Sequence, residues 1–198
     1  TVAPKSDINW VNNLMSWELD ADNTNTVLVS QAALGAYCHR AIGIYRCPAD
    51  RVLSEIQRRA AWTARLRSLS MNAMVGDAGE LTKWGVNINN PTYRQFLKMS
   101  DFKNPARIFV FLDEHPDSIN DGYFLNKPED AEWVDLPASY HNGAGSFSFA
   151  DGHSEVHRWR AASTKRPAKP DGAPLPFAVP SQERADFEWL IERTSVER

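Results

Sequence analysis

Two histidines and an aspartate with metal-binding chemistry stand close together in the C-terminal part of the chain. Nine residues separate His141 from the pair Asp151-Gly152, and His153 follows directly. Imidazole nitrogens and carboxylate oxygens together bind zinc, manganese, copper or iron, and such a metal with an open position activates water. The spacing therefore has two interpretations. One is a turn capped by Asp151, with the histidines on a polar rim, and the alternative is a metal site.

A second polar group follows the most apolar segment of the chain, residues 107–112. Its first members are Asp113, Glu114 and His115. Three more oxygen donors follow, namely Asp117, Asn120 and Asp121. Hard oxygen donors suit calcium, although the spacing is not that of an EF-hand. The alternative is an acidic loop that stays solvated.

The two polar groups meet if the strand that ends at residue 112 lies beside the segment that contains His141. Asp113 or His115 would then face the histidines, and Glu114 would act as a base for a metal-bound water. On this hypothesis the catalytic residues are Glu114 and His141. The candidate metal ligands are Asp113, Glu114, His115, His141, Asp151 and His153. We expect calcium if the metal is structural, and zinc, copper, iron or manganese if histidines bind it.

The chain contains two cysteines, Cys38 and Cys47. A loop of this length closes as a disulfide if the chain doubles back near Gly43. The alternatives are two reduced thiols buried in the core or half of a metal site. No second cysteine pair completes a zinc ribbon. We predict a disulfide, which places the protein outside the reducing cytosol.

Composition narrows the classes of function. The formal net charge is −3, from 22 Lys and Arg against 25 Asp and Glu. The basic residues are scattered along the chain, and this pattern predicts no nucleic-acid groove. No apolar run is long enough to span a bilayer. Because the chain begins at Thr1 rather than at a methionine, we expect a processed or truncated product.

Residue patterns predict the elements that position these side chains. Alternating polar and apolar residues predict a β-hairpin from residues 146–150 and 154–159, with Asp151-Gly152 at its tip. Residues 107–112 form the clearest buried strand, and further strands are expected at 65–71 and 123–125. Apolar spacing predicts helices, or in the second case mixed structure, at 8–19, 27–37, 51–59, 92–99 and 185–193. The Pro-rich residues 162–180 are expected to form an extended arm.

Four motifs in order give the chain a resemblance to a known family. They are Tyr45-Arg-Cys-Pro-Ala-Asp50, Arg67-Ser-Leu-Ser-Met-Asn72, Ile108-Phe-Val-Phe-Leu-Asp-Glu114 and the spacing from His141 to Gly152. Together they resemble the prepilin-type proteins with a processing-associated H-X9-DG domain, which are similar to type II secretion pseudopilins. The resemblance covers about residues 6–160. The long hydrophobic N-terminal helix of that family is missing from this sequence.

The resemblance implies an α+β, pilin-like fold, in which the remnant of an N-terminal helix packs on a small antiparallel sheet with long irregular loops. It implies a globular domain over residues 1–160, followed by a Pro-rich arm with a short helix over 161–198. The implied function is a non-catalytic subunit of a pseudopilus-like or type II secretion-like assembly at the cell surface or in the periplasm. Its partners would be other pilin-like subunits or secretion machinery, and it would contact the membrane only through the missing helix. The alternative is a secreted metal-dependent enzyme that acts on polysaccharide through His141, Asp151 and His153.

Overall fold

A five-stranded sheet forms the centre of the computed structural model, which describes residues 9–170 and 172–198. The fold is mixed α and β, with a core made mostly of sheet and few helices, so the mixed α and β part of the predicted fold is confirmed, while the pilin-like arrangement stays a prediction. The central sheet contains β1, β4, β5, β7 and β8, and two small ribbons pair β2 with β3 and β6 with β9. The nine strands are β1 Leu69–Asn72, β2 Thr82–Lys83, β3 Val86–Asn87, β4 Phe109–Asp113, β5 Tyr123–Phe124, β6 Glu132–Trp133, β7 Ala144–Phe149, β8 Ser154–Arg158 and β9 Phe177–Ala178.

The strand order in the central sheet is β5-β1-β4-β7-β8. All neighbours are antiparallel except β1 and β5. The predicted hairpin of β7 and β8 is confirmed, because Ser148 pairs with Ser154 on either side of the tip. Alternation explains this element: Phe147 and Phe149 are buried on one face, while Ser146 and Ser148 point to the other.

The three α-helices are short: α1 Val27–Ser30, α2 Glu55–Arg59 and α3 Arg184–Ile191. The predicted helices at 51–59 and 185–193 are confirmed by α2 and α3. The helix predicted at 8–19 is wrong for residues 9–19, which are extended or turn, and Ile8 lies outside the described residues. Tertiary contacts supply the backbone partners of this segment, since Asn12 N–H donates to Leu28 O and Met15 N–H donates to Asn120 O. These bonds replace the local bonds of a helix.

The helix predicted at residues 92–99 is also wrong. Phe96 donates its N–H to Met74 O and accepts the N–H of Gly76 at its own carbonyl. This segment therefore lies alongside the chain that follows β1, with a bridge between Val75 and Phe96. Phe96 is buried here without being part of a helix. Apolar spacing alone therefore does not distinguish this structure from an amphipathic helix.

The central sheet buries apolar side chains on both faces. On one face Phe109, Phe147 and Trp159 pack with α3, whose Phe187 and Leu190 are buried in the same cluster. On the other face the N-terminal segment covers β1 and β4 through Trp10, Val11, Met15 and Val29. In the predicted arm, β9 pairs with β6, and the rest of residues 162–170 and 172–180 is turn or irregular. The domain boundary at residue 160 stays a prediction.

A capping box fixes the start of α2. The buried Ser54 hydroxyl accepts the Gln57 N–H at 3.3 Å and donates to Trp17 O at 2.7 Å, while the Gln57 side chain accepts the Ser54 N–H. Replacing Ser54 with alanine is expected to lower the free energy of unfolding by about 1–2 kcal/mol, because a cap and a tertiary hydrogen bond are lost together. Urea unfolding measures this loss. The exposed Ser181→Ala variant serves as the control, and an equal loss in both variants would contradict the prediction.

In the described part of the chain, none of the helices has the length and apolar character needed to cross a membrane.

Candidate metal centre

Cys47, Asp113 and His141 bring one donor atom each to a common point at the end of the central sheet. The Cys47 sulfur, an Asp113 carboxylate oxygen and a ring nitrogen of His141 all lie within 4.8 Å of one another. Within residues 9–170 and 172–198 this is the one group of three or more such side chains that could hold a metal ion. The cysteine and the aspartate are buried, whereas the His141 side chain is 35 % exposed, so the group opens to solvent on the histidine side.

Three separate parts of the chain position these donors. Asp113 is the last residue of β4 and pairs with Leu69 of β1. His141 precedes β7 and donates its backbone N–H to Ala144 O. Cys47 follows a short helical turn, and the Ser68 hydroxyl accepts its backbone N–H at 2.7 Å. The site therefore joins the loop before β7, the end of β4 and the segment that leads to α2.

The distances between the donor atoms allow one metal ion to be shared among them. His141 Nε2 lies 3.3 Å from Asp113 Oδ2 and 3.5 Å from Cys47 Sγ. Ordinary zinc bond lengths with tetrahedral angles give edges of about 3.4 Å between nitrogen and oxygen and about 3.6 Å between nitrogen and sulfur. One imidazole nitrogen carries at most one proton, so Nε2 could donate to both neighbours only through a shared, three-centre hydrogen bond. A shared cation would contact all three donor atoms directly.

Electrostatics also favour a cation between these donors. Burial raises the pKa of the Cys47 thiol, and the nearby Asp113 carboxylate raises it further. Burial raises the pKa of Asp113 as well, although the Ser146 N–H and the His141 ring oppose part of the rise. The Ser146 N–H donates to Asp113 Oδ2 at 3.2 Å and holds the carboxylate in place. A divalent cation between them would offset the free energy needed to ionise the Cys47 thiol and the Asp113 carboxyl in this buried position.

Asp151 and His153 lie at the far end of β7 from His141. The six residues of that strand separate the two ends by about 20 Å, so these side chains do not join the group. At the hairpin tip the Asp151 carboxylate accepts the His153 N–H at 3.1 Å and contacts His153 Nδ1 at 2.6 Å. The His153 ring stacks on Phe149. The structure thus gives Asp151 the turn-capping role that was the alternative to a metal site.

Glu114 and His115 follow Asp113 in the chain but face other surroundings. The Glu114 carboxyl is fully buried near Arg67, away from the group that contains His141. His115 accepts the Asp117 N–H at Nδ1, so Nε2 carries the proton and donates to Arg166 O at 3.0 Å. Both ring nitrogens of His115 therefore already have partners. Successive side chains of an extended segment point to opposite sides, which separates Glu114 from Asp113, whereas His115 lies beyond the end of β4 and is held by its contacts with Asp117 and Arg166.

The remaining acidic loop residues serve the fold in this structure. The Asp117 carboxylate accepts the backbone N–H of Lys169 through both oxygens, at 2.9 and 3.0 Å, and so anchors the Pro-rich segment. The Asn120 side chain accepts the N–H of Asp121, and the Asp121 carboxylate accepts the N–H of Tyr123 at 2.7 Å. These bonds form the turn that leads into β5.

The predicted disulfide is wrong, because Cys38 and Cys47 are both free thiols. The Cys38 sulfur contacts Tyr45 Oη and Gly35 O, both at 3.4 Å. The Cys47 sulfur belongs instead to the group with Asp113 and His141. Each sulfur thus has its own tertiary partner. One of the alternatives to a disulfide was that the two cysteines form half of a metal site, and only Cys47 belongs to a candidate site of that kind.

The buried Glu114 gives a prediction about pH. Both of its oxygens lack a hydrogen-bond partner among the described residues, and burial raises its pKa from 4.5 to about 8, with the positive charge of Arg67 opposing part of the rise. The folded protein keeps this proton at pH values where the unfolded chain has lost it. Its contribution to stability is therefore complete below pH 4.5 and is lost as the pH rises through about 8.

Urea unfolding between pH 5 and 9 should show this decline, and Glu114→Gln should flatten it. The exposed Glu18→Gln variant should keep the decline of the unchanged protein, and an unaltered slope in Glu114→Gln would contradict the assignment.

Sequence reasoning identified Asp113 and His141 but assigned Cys47 to a disulfide. The motifs contained a signal for the role of Cys47. Cys47, Asp113 and His141 each belong to a different one of the four motifs on which the family resemblance rests. When the chain was compared with protein families, curated proteins and solved structures, nothing matched.

Proposed function

We propose that this chain is a non-catalytic extracellular or periplasmic domain of a pilin-like surface assembly, stabilised by a transition metal bound to Cys47, Asp113 and His141. The observation that supports the proposal most directly is the convergence of these three donors from three distant segments. A bound ion would fasten the segment around Cys47 to the end of the sheet. The assembly role rests on the family resemblance of the motifs.

Zinc is the metal that the donor set favours. A thiolate, an imidazole and a carboxylate are ordinary zinc ligands. Calcium prefers a shell made only of oxygen atoms, so it does not suit a site with sulfur and nitrogen donors. A metal that binds only the folded state stabilises it by about 4 kcal/mol when its free concentration is a thousand times the dissociation constant. The metal would therefore act on the fold without any chemical step.

An apolar groove on the sheet supports the assembly part of the proposal. Its volume is ≈ 420 Å³, and its walls include Trp10, Leu34, Tyr37, Ile44, Phe111 and Ser148. On this face the N-terminal segment covers β1 and β4, whereas β8 is largely exposed, with Val156 at its centre. We propose that the apolar N-terminal helix expected of a pilin-like protein occupies this groove, either from the same chain or from a neighbouring subunit.

Site-specific crosslinking in the full-length encoded protein tests this arrangement. A photoreactive residue at Ile44, which is 56 % exposed on the groove wall, is expected to crosslink to an apolar helix encoded upstream of Thr1. The same residue at Trp84, which is 98 % exposed in the β2–β3 turn, is the matched control and should not crosslink to that helix. Equal crosslinking at both positions, or an upstream sequence without an apolar helix, would contradict the proposal.

A secreted metal-dependent enzyme that acts on polysaccharide is the second candidate. The observation that favours it is the partial exposure of His141, since three protein ligands with an open side resemble catalytic zinc sites. The Glu114 carboxyl, which was the expected base, is buried elsewhere. New reducing ends released from a panel of polysaccharides by the zinc-loaded protein, and lost in His141→Ala, would support the enzyme. That result would contradict a non-catalytic role.

A further inference from the structure

We propose that a second cavity, on the side of the molecule formed by residues 42–48 and 63–66, binds an oxyanion such as a carboxylate, phosphate or sulfate group. The cavity has a volume of ≈ 420 Å³. Its lining residues are Thr24, Ile42, Gly43, Arg46, Pro48, Thr63, Ala64, Arg65 and Leu66. The inference goes beyond the proposed function, because none of the three metal donors lines this cavity.

The lining carries positive charge and no carboxylate. Two arginines, Arg46 and Arg65, and two threonines supply all of its ionic and hydroxyl groups. Within the described residues the Arg46 side chain makes no hydrogen bond or ion pair of its own, although it is only partly exposed. An arginine without a protein acceptor beside a polar cavity is available to bind a ligand. Its guanidinium presents donors in a planar fork that matches an oxyanion.

Arg65 adds an unsatisfied donor. Its side chain is buried, with 3 % of the residue exposed, and it stacks on Trp17 with the guanidinium carbon 4.0 Å from the ring centroid. One terminal nitrogen donates to Pro116 O at 3.2 Å, whereas Nε has no hydrogen-bond partner among the described residues. Most buried polar groups in proteins are hydrogen-bonded. An oxyanion in the adjoining cavity would supply the positive charge of Arg65 with a counter-ion.

The protein only partly neutralises these two cations. Asp50 is the carboxylate that influences both of them, and it is buried and accepts the Val52 N–H at 3.1 Å. Asp117 and Glu114 also act on Arg65, but among the described residues no carboxylate forms an ion pair with Arg46 or Arg65. The surrounding sequence is rich in arginine, because residues 40–67 contain seven arginines and two acidic residues, of which Glu55 pairs with Arg59. The arginines of this region are therefore grouped, unlike the scattered pattern that the whole sequence predicted.

The size of the cavity and the nature of its donors define the ligand. Arginine forks and hydroxyls bind carboxylates and phosphates by charge-assisted hydrogen bonds. A cavity of ≈ 420 Å³ has room for one acidic sugar unit or one phosphate ester. Both sources carry an oxyanion of the same chemistry, so the experiment compares them directly.

NMR of the arginine Nε–H groups in the intact protein tests the inference. Sodium phosphate, sodium sulfate and sodium glucuronate are titrated in turn at constant ionic strength, with sodium chloride as the reference. Saturable shifts of the Arg46 and Arg65 signals are expected with the oxyanions and not with chloride. Tighter binding of phosphate would identify a phosphate ester as the ligand, and tighter binding of glucuronate would identify an acidic sugar. Either result supports the site, and shifts that never saturate or that match those of chloride overturn it.

Two variants make the test specific. Arg46→Gln is expected to weaken oxyanion binding by about tenfold or more, because a charge-assisted hydrogen bond is lost. Thr63→Val, which removes a hydroxyl from the cavity lining, should weaken it by a smaller factor, while the exposed Arg51→Gln should bind as the unchanged protein does. Because Arg46 adjoins Cys47, zinc content is measured in each variant, so a lost metal is distinguished from a lost anion. Unchanged affinity in both Arg46→Gln and Thr63→Val would overturn the proposal.

Discussion

Replacing His141 with alanine is expected to abolish the stoichiometric zinc binding that we propose for this protein. His141 Nε2 is the atom that faces both of the other donors, so its removal leaves a thiol and a carboxyl that cannot complete a zinc site. We expect the zinc dissociation constant to rise by about a hundredfold or more, beyond the 10–100-fold typical of changes in residues that only support a metal ligand. Competition with a chromogenic chelator, together with elemental analysis of protein purified without added metal, measures the effect.

His153→Ala is the matched control for this substitution. It also removes an imidazole, from the far tip of the same hairpin, and zinc binding should be unchanged. The cysteines offer a second matched pair, because Cys47→Ser should release zinc and Cys38→Ser should retain it. Equal loss in His141→Ala and His153→Ala would contradict the site described here and favour one centred on the hairpin tip.

Zinc binding should also increase the thermal stability of the protein. Zinc is expected to raise the Tm of the unchanged protein, because the three donors come together only in the folded state. His141→Ala should show no such rise. If zinc binds with the same affinity under unfolding conditions, the proposed structural role of the metal is contradicted.

Replacing Phe187 with alanine is expected to lower the free energy of unfolding by about 3–5 kcal/mol, because a large buried side chain would leave a cavity. Phe187 lies in α3, has 3 % of its surface exposed, and packs edge-on against Trp133 with ring centroids 5.0 Å apart. The same cluster contains Phe147 and Trp159 of the central sheet region. The final helix is therefore expected to unfold together with the sheet. Urea unfolding followed by circular dichroism measures the change.

Trp84→Ala is the control for the substitution in α3. It removes a larger aromatic side chain, but one that is 98 % exposed, so the free energy of unfolding should change by less than about 0.5 kcal/mol. A loss below about 1 kcal/mol in Phe187→Ala would show that α3 is not part of the cooperative core. That outcome would agree with the expectation of a C-terminal arm that is separate from the domain.

Elements with strong local signals were predicted correctly. The β7–β8 hairpin follows from alternating residues on either side of Asp151-Gly152, and β4 follows from the apolar run that ends at Leu112. Local sequence specifies such elements because alternation determines which face of a strand is buried. The helix α3 was predicted for the same kind of reason, from its closely spaced apolar residues.

The errors arose where distant segments supply the partners. Residues 9–19 and 92–99 have the apolar spacing of helices, yet their backbone groups bond to Leu28, Asn120 and Met74. The disulfide prediction failed for a similar reason. The Cys38 sulfur contacts Tyr45, which is near in sequence, but the Cys47 sulfur contacts His141, which is 94 positions away. Short-range patterns contain no information about such contacts.

The sequence by itself determined the hairpin between His141 and His153, although the metal-site hypothesis placed the two histidines together and the structure separates them. A strand of six extended residues holds its ends apart, so a motif that is compact in sequence is long in space. Only the tertiary structure decided which residues meet His141. The antiparallel pairing of β4 with β7 brings Asp113 close to His141. The segment that precedes α2 brings Cys47 to the same end of the sheet. The candidate metal centre therefore depends on strand order and on long-range packing, which no local pattern specifies.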